Sequence, residues 1–219
     1  MSKSNDVIYD PEPRWPAFVA VIAVAGLYAA LPHALIIGPR WMFPSVLIVL
    51  LIPTLISHWK DYRELNRVLG FAVSIAVTIG LVGSVIFLVR GLPAHAETPA
   101  ELLTSAASLW VTNILVFTLW YWRLDAGGPH SRDRRAVHTD GAFLFPQMTM
   151  SPEQKRAAGE TNWSPNFFDY LFLSFNTSTA FSPTDVPVLA RWAKILMMLQ
   201  SMISLTVLAL LAARAVNIL

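Results

Sequence analysis

Apolar residues occur in five long runs, separated by short polar links and one long polar segment. The runs are Trp15–Ile37, Trp41–Trp59, Val68–Val89, Leu102–Arg123 and a stretch from about Leu189 to Leu219. Each is close to the roughly 20 residues that an α-helix needs to cross a bilayer core about 30 Å thick. The pattern therefore predicts an all-α polytopic membrane protein with about five transmembrane helices.

One further helix is predicted that is too short to span. Ser164-Pro165 is a typical helix start, and the apolar stretch from Asn166 to Ser178 favours a helix of about 13 residues. A polar turn follows, and then the last span. Irregular backbone at membrane depth needs protein or water around it. We therefore expect segment 164–187 to be a re-entrant half helix that dips into the bilayer and returns to the same face.

These elements divide the chain into three regions. Residues 1–14 form a polar N-terminal tail, which is too acidic for the start of a signal peptide and is expected to be retained. Residues 15–101 form a three-span membrane region. Residues 102–219 form a two-span region that contains the long polar loop 124–163.

The composition supports membrane residence and excludes several function classes. Of the 219 residues, 55% are hydrophobic and 14% charged, against about 25% charged in a typical soluble domain. Cysteine is absent, so disulfides, thiolate metal sites and cysteine nucleophiles are excluded. The net charge of +2 is too small to indicate nucleic acid.

No motif indicates an enzyme. The chain lacks GxSxG, HExxH and a phosphate-binding glycine loop, so we predict no catalytic residues and no cofactor. The long loop contains His130, Asp133, His138 and Asp140, but no pair has the i, i+4 spacing of a zinc-binding helix. We therefore predict no metal site.

The distribution of charge predicts the orientation. Most lysines and arginines lie in the tail, in loop 58–67, in loop 124–163 and just before the last span. Loops on the cytoplasmic side carry an excess of Lys and Arg. We therefore predict a bacterial inner-membrane protein whose N-terminus and loop 124–163 are cytoplasmic.

The C-terminal region resembles the pore region of the potassium-channel superfamily. Asp169-Tyr170 is similar to the start of the family's pore helix, and Thr177-x-Thr179 to its end. Ala212-Ala213-Arg214-Ala215-Val216 resembles the end of the inner helix, and Leu102–Arg123 would be the outer helix. The whole chain, with WYWRLDAGGP and FNTSTAFSPTD, also looks like a group of uncharacterised bacterial multi-pass membrane proteins.

The filter departs from this family. Its motif TVGYGD falls on Ala180–Asp185, where only Asp185 is retained. Ser182 and Thr184 replace glycines whose freedom aims backbone carbonyls at the ion, and Pro183 fixes φ. A standard potassium filter is therefore excluded. The family's pore loop also enters from outside the cell, whereas the charge distribution here brings it from the cytoplasm.

We expect an ion-channel-like protein whose hydroxyl-lined pore could pass small inorganic ions. The candidate pore-lining residues are Thr177, Ser178, Thr179, Ser182, Thr184 and Asp185. The polar turn needs protein around it, so we predict a homo-oligomer, and the resemblance implies a tetramer. The alternatives are a non-conducting membrane scaffold or lipid- or partner-binding protein and, more remotely, a membrane enzyme.

Two further groups of polar residues have predicted roles. Asn113 and Gln200 lie within apolar spans, where amides typically form hydrogen bonds between helices. Arg132, Arg134 and Arg135 lie about ten residues beyond a span, where basic residues typically contact anionic lipid headgroups. Membrane lipids are therefore predicted partners.

Overall fold

The computed structural model describes residues 12–91, 98–135, 138, 140–179 and 186–216. Over these residues the fold is all-helical, and the only β-type pairing described is one bridge between Phe143 and Val188. The α-helices are α1 Trp15–Ala29, α2 Met42–Trp59, α3 Arg63–Gly91, α4 Pro99–Leu124, α5 Pro129–Arg132, α6 Pro146–Thr149, α7 Pro152–Ala157, α8 Phe167–Thr179 and α9 Arg191–Val216.

Among the described residues, four helices are long and apolar enough to cross a membrane. They are Met42–Trp59, Arg63–Gly91, Ala100–Arg132 and Arg191–Ala213. The first predicted span, Trp15–Ile37, is instead a 15-residue helix, α1, followed by a short 3-10 turn at His33–Leu35. The helix stops there because Pro32 disfavours helical backbone at the residue before it. At 1.5 Å per residue, α1 is about 22 Å long, shorter than a bilayer core.

Helix α4 is the centre of the bundle. It packs against α1 and α3 on the N-terminal side of the sequence and against α8 and α9 on the C-terminal side. Within the apolar window of this span 61% of residues are buried, against 17% for α2 and α9. Most of the α2 and α9 surface therefore faces outward, and it is apolar, as expected of helices in contact with lipid.

One end of the bundle collects several arginines, and we call it the arginine end, defined by Arg14, Arg63, Arg123 and Arg132. Helix α4 finishes here because Gly127 and Gly128 adopt φ values of +82° and +88°, which a side chain disfavours. A Cβ at Gly128 would also lie 2.8 Å from the carbonyl oxygen of Arg123. The tight turn directs the following chain back over the end of the bundle.

The long polar loop 124–163 is partly structured and forms a cap on the arginine end. Phe143 is fully buried, with its ring 5.2 Å from that of Tyr121 and 6.0 Å from that of Trp192. Backbone hydrogen bonds join Leu144 to Pro187 and Leu189 to Ala142. The start of α9 is thereby fixed at the arginine end, next to the loop.

Candidate functional site

Helices α4, α8 and α9 meet at a cluster of buried polar groups that we call the polar junction: Asn113, Ser174, Ser178, Gln200 and Ser204. Gln200 Nε2 lies 2.7 Å from the Ser174 carbonyl oxygen and 2.7 Å from Ser178 Oγ. Tyr121 Oη donates to Gln200 Oε1 at 2.5 Å. One amide on α9 is therefore bonded to both α8 and α4.

Asn113 completes the polar junction from α4. Its Nδ2 donates to the Gln200 carbonyl oxygen at 3.1 Å and lies 3.5 Å from Ser178 Oγ. Ser204 Oγ donates to the carbonyl oxygen of Ser178. The two amides that the sequence marked as interhelical thus lie in one network, which fixes the C-terminal end of α8 against both long helices.

The predicted pore-lining hydroxyls that the structure describes point mainly into protein. Ser178 is fully buried in the polar junction, and Thr177 is 6% exposed with Oγ1 donating to the Leu173 carbonyl oxygen at 2.8 Å. In the single chain these two side chains support α8 and do not line an open passage. Thr179 is half-buried and donates to the Asn176 carbonyl oxygen at 2.8 Å. Ser182, Thr184 and Asp185 lie outside the described residues.

A buried ionic cluster joins the N-terminal segment to the loop at the arginine end. Glu12 is bonded to Arg132 at 2.9 Å and to Arg14 at 3.2 Å, and it accepts from the Trp122 indole. Arg14 is also paired with Asp133. Burial lowers the pKa of Arg14, whereas the carboxylates of Asp133 and Glu12 act in the opposite direction.

Arg132 is the most buried member of this cluster. It is 2% exposed, and its Nη1 donates to the carbonyl oxygens of Trp122 and Asp125 at 2.8 and 3.0 Å. The prediction that Arg132 contacts lipid headgroups is therefore wrong for this structure, because Glu12 and two carbonyls occupy its guanidinium. Arg134 is exposed, and Arg135 is half-buried and donates to the carbonyl oxygens of Ala126 and Asp140.

Asp125 also fixes the position of the loop through buried hydrogen bonds. It is fully buried and accepts from Tyr170 Oη at 2.7 Å and from the Ala142 backbone N–H at 2.5 Å. It therefore ties the end of α4 to α8 and to the loop. No group of three or more His, Asp or Glu side chains suited to a metal ion is found in the part of the chain that the structure describes.

A cavity of about 210 Å³ opens at the arginine end between α1, α2, α3, α4 and α5. Five arginines and a single glutamate line it, together with two histidines; the charged residues are Arg14, Arg63, Glu64, Arg67, Arg123 and Arg134. Its deeper wall is apolar and includes Ala17, Val21 and Leu119. Sequence reasoning missed this cavity, because its arginines come from segments far apart in the chain. The sequence predicted only that these segments lie on the same side of the membrane.

No family model, curated protein or solved structure matches this chain.

Proposed function

We infer that the chain is an ion-channel-like membrane protein in which α8 is a re-entrant half helix and a homo-oligomer encloses a small-ion pathway. The proposal keeps the expectation from the potassium-channel resemblance, without a potassium filter.

The direction of α8 is the observation that carries the proposal. Its first residue, Phe167, has its ring 5.8 Å from Trp122, near the end of α4 at the arginine end. Its last turn lies against the middle of α4, where Trp110 Nε1 is 3.4 Å from the Ser178 carbonyl oxygen. Helix α8 therefore descends about half the length of α4.

The chain after α8 is found again at the arginine end. Leu189 donates its backbone N–H to Ala142 at 2.8 Å, and Leu144 donates to Pro187 at 2.9 Å. A segment that enters at one end, reaches mid-depth and reappears at the same end has the connectivity of a re-entrant element. Thirteen helical residues, about 20 Å, are too few to cross a bilayer.

The burial of the α8 hydroxyls refines which residues could line a pathway. Ser178 holds α8 in place through the polar junction, and the buried Thr177 hydroxyl donates to the Leu173 carbonyl oxygen of its own helix. The proposed lining is therefore assigned to Thr179, Ser182, Thr184 and Asp185, with Asp185 as the carboxylate at the mouth that attracts cations. Conduction through hydroxyl oxygens would favour small ions without the selectivity of a carbonyl filter.

An oligomer is proposed because α9 presents a large apolar face that is exposed among the described residues. Met198, Met202 and Leu205 are each 58–65% exposed. Lipid can cover such a face, but a second copy of the chain would cover it equally well and would enclose the turn after α8. The tetramer follows from the family resemblance, and the bacterial inner membrane with a cytoplasmic arginine end follows from the charge distribution.

Ion flux into proteoliposomes tests the proposal. Purified wild type is compared with Thr179→Leu, Asp185→Asn and the matched control Thr206→Leu. Thr206 is a half-buried α9 threonine whose hydroxyl bonds only within its own helix, among the described contacts. We expect cation flux in wild type and the control, loss of flux in Thr179→Leu and weaker flux in Asp185→Asn.

Absence of flux above empty liposomes, in several salts, would overturn the pore. The non-conducting scaffold or lipid-binding protein would then be the better assignment. The burial of Thr177 and Ser178 is the observation that favours that alternative, since these hydroxyls already have partners within the chain.

A further inference from the structure

The cavity at the arginine end has an imbalance of charge. Arg14 is paired with Asp133 and Glu12, and Arg63 is paired with Asp61. Arg67, Arg123 and Arg134 have no carboxylate within 4 Å among the residues that the structure describes. Of the described residues that line the cavity, Glu64 is the only acidic one. Three arginines therefore face one small space without a paired carboxylate in the part of the chain that the structure describes.

Arg123 is held in place so that its guanidinium borders this space. Its Nε donates to Ser74 Oγ at 3.2 Å, and its guanidinium carbon lies 5.5 Å from the Trp122 ring centroid and 6.0 Å from that of Phe71. No hydrogen bond is described for its two terminal nitrogens. Two parallel N–H groups in a rigid fork match the oxygens of a phosphate.

Gly70 provides the room for this arrangement. A Cβ at residue 70 would lie 1.6 Å from Arg123 Nη1, so any other residue would displace the guanidinium. The absence of a side chain at this turn of α3 thus leaves room for the Arg123 guanidinium, which has no carboxylate partner among the described residues.

The inner wall of the cavity has the opposite character. Ala17, Val21, Val73 and Leu119 are buried apolar residues that line it. Ala17 lies two residues inside its helix, counted from the arginine end, and the other three lie five to ten residues inside theirs, which is about 8 to 15 Å along a helix axis. The cavity is therefore cationic at its mouth and apolar at its depth, along the direction in which a membrane changes from headgroup to hydrocarbon.

The size of the cavity limits the occupant. Its 210 Å³ is below the roughly 300–1,000 Å³ of pockets that enclose a whole drug-sized ligand. It is sufficient for a phosphate group and the first few carbons attached to it. An occupant whose remaining chain stays in the surrounding bilayer fits this limit.

We propose that this cavity binds a membrane phospholipid of net negative charge, with the phosphate on Arg123, Arg67 and Arg134 and the start of the lipid chain between α1, α3 and α4. A soluble phosphate shares the headgroup chemistry but leaves the apolar wall uncovered. The proposal does not depend on conduction. The cavity lies where α4 packs against α1 and α3, whereas the polar junction lies where α4 packs against α8 and α9.

Native mass spectrometry of the full chain in detergent, titrated with phosphatidylglycerol or phosphatidylcholine of the same acyl chains, tests the proposal. We expect tighter binding of phosphatidylglycerol, weakened about tenfold by Arg123→Gln, because the variant loses a charge-assisted contact with the phosphate. Arg67→Gln replaces an exposed arginine of the same site and should also weaken the binding of phosphatidylglycerol. It provides the test if Arg123→Gln does not fold. Gly70→Ala should reproduce the Arg123→Gln defect without changing any charge.

Arg156→Gln is the matched control. It removes one exposed arginine on α7, in the same loop 124–163 as Arg134 but outside the cavity. This variant should bind phosphatidylglycerol like wild type. Equal binding of the two lipids, or equal losses in Arg156→Gln and Arg123→Gln, would overturn the site. Thermal stabilisation by inorganic phosphate that equals the effect of phosphatidylglycerol, at equal concentration, would replace the lipid with a soluble anion.

Discussion

Single residues at the arginine end show how an ion pair can be structural. Arg132 and Glu12 are 120 positions apart in sequence, and their side chains are 2% and 3% exposed. A buried pair contributes little against an apolar replacement of both partners, yet removal of one partner leaves an uncompensated charge. The Glu12–Arg132 ion pair therefore fixes the N-terminal segment to the loop.

Arg132→Met is expected to destabilise the protein by about 3–5 kcal/mol, because Glu12 loses its most buried partner. The double variant Glu12→Gln/Arg132→Met should recover part of this loss. Unfolding in mixed detergent micelles measures both. Arg63→Met, which breaks the exposed pair with Asp61, is the control and should leave stability close to wild type. Equal losses of stability in Arg132→Met and Arg63→Met would show that the buried Glu12–Arg132 ion pair has no special role.

At the scale of elements, a short helix keeps its position through a few polar contacts. Helix α8 has Phe168, Phe172 and Phe175 exposed on one face, so apolar burial alone does not fix its orientation. Ser174 Oγ donates to the Ile114 carbonyl oxygen at 2.7 Å, and Gln200 reaches both Ser174 and Ser178. The polar junction therefore determines the depth and rotation of α8 between α4 and α9.

Gln200→Leu should destabilise the docking of α8 by about 1–2 kcal/mol, the upper range for interhelical hydrogen bonds in membranes. Combination with Tyr121→Phe should be less than additive, since both substitutions remove the same 2.5 Å contact. Apparent melting temperatures in detergent measure the cycle. The control Thr206→Val, which removes a hydroxyl that bonds only within α9 among the described contacts, should not change them. Strict additivity would contradict a shared network.

At the scale of the whole molecule, the charge distribution and the bundle agree on which segments share an end. Arg14, Arg63, Arg123 and Arg134 line one cavity, whereas Arg90 closes α3 at the far end. Helix α4 joins the two ends. The side of the membrane that the arginine end faces is a prediction of the positive-inside rule.

Cysteine labelling tests this orientation, because the native chain contains no cysteine. Gly91→Cys at the far end has open space for a side chain, and Arg156→Cys lies on the exposed surface of the loop. In intact cells an impermeant maleimide should modify residue 91 and reach residue 156 only after permeabilisation. The reverse result would invert the orientation, and labelling of both sites from outside would mean that α4 does not cross.

The sequence was sufficient for most of the helices, because hydropathy and capping act over a few neighbouring residues. The exception is the predicted span Trp15–Ile37, which contains Pro32 and is helical only as far as Ala29 in α1. The sequence predicted α8 within one residue, as Phe167–Thr179 instead of Asn166–Ser178, and it identified the long apolar helices. It also placed Asn113 and Gln200 between helices, since a buried amide in an apolar span has few other partners.

Tertiary structure decided what the sequence left open or misjudged. Arg132 turned inward to Glu12, and Thr177 and Ser178 were buried between α8 and the two long helices α4 and α9. The cavity exists only because α1, α3 and α4 bring Arg14, Gly70 and Arg123 together. Local patterns fix which residues are helical and apolar, whereas a site made of distant side chains depends on how the helices pack.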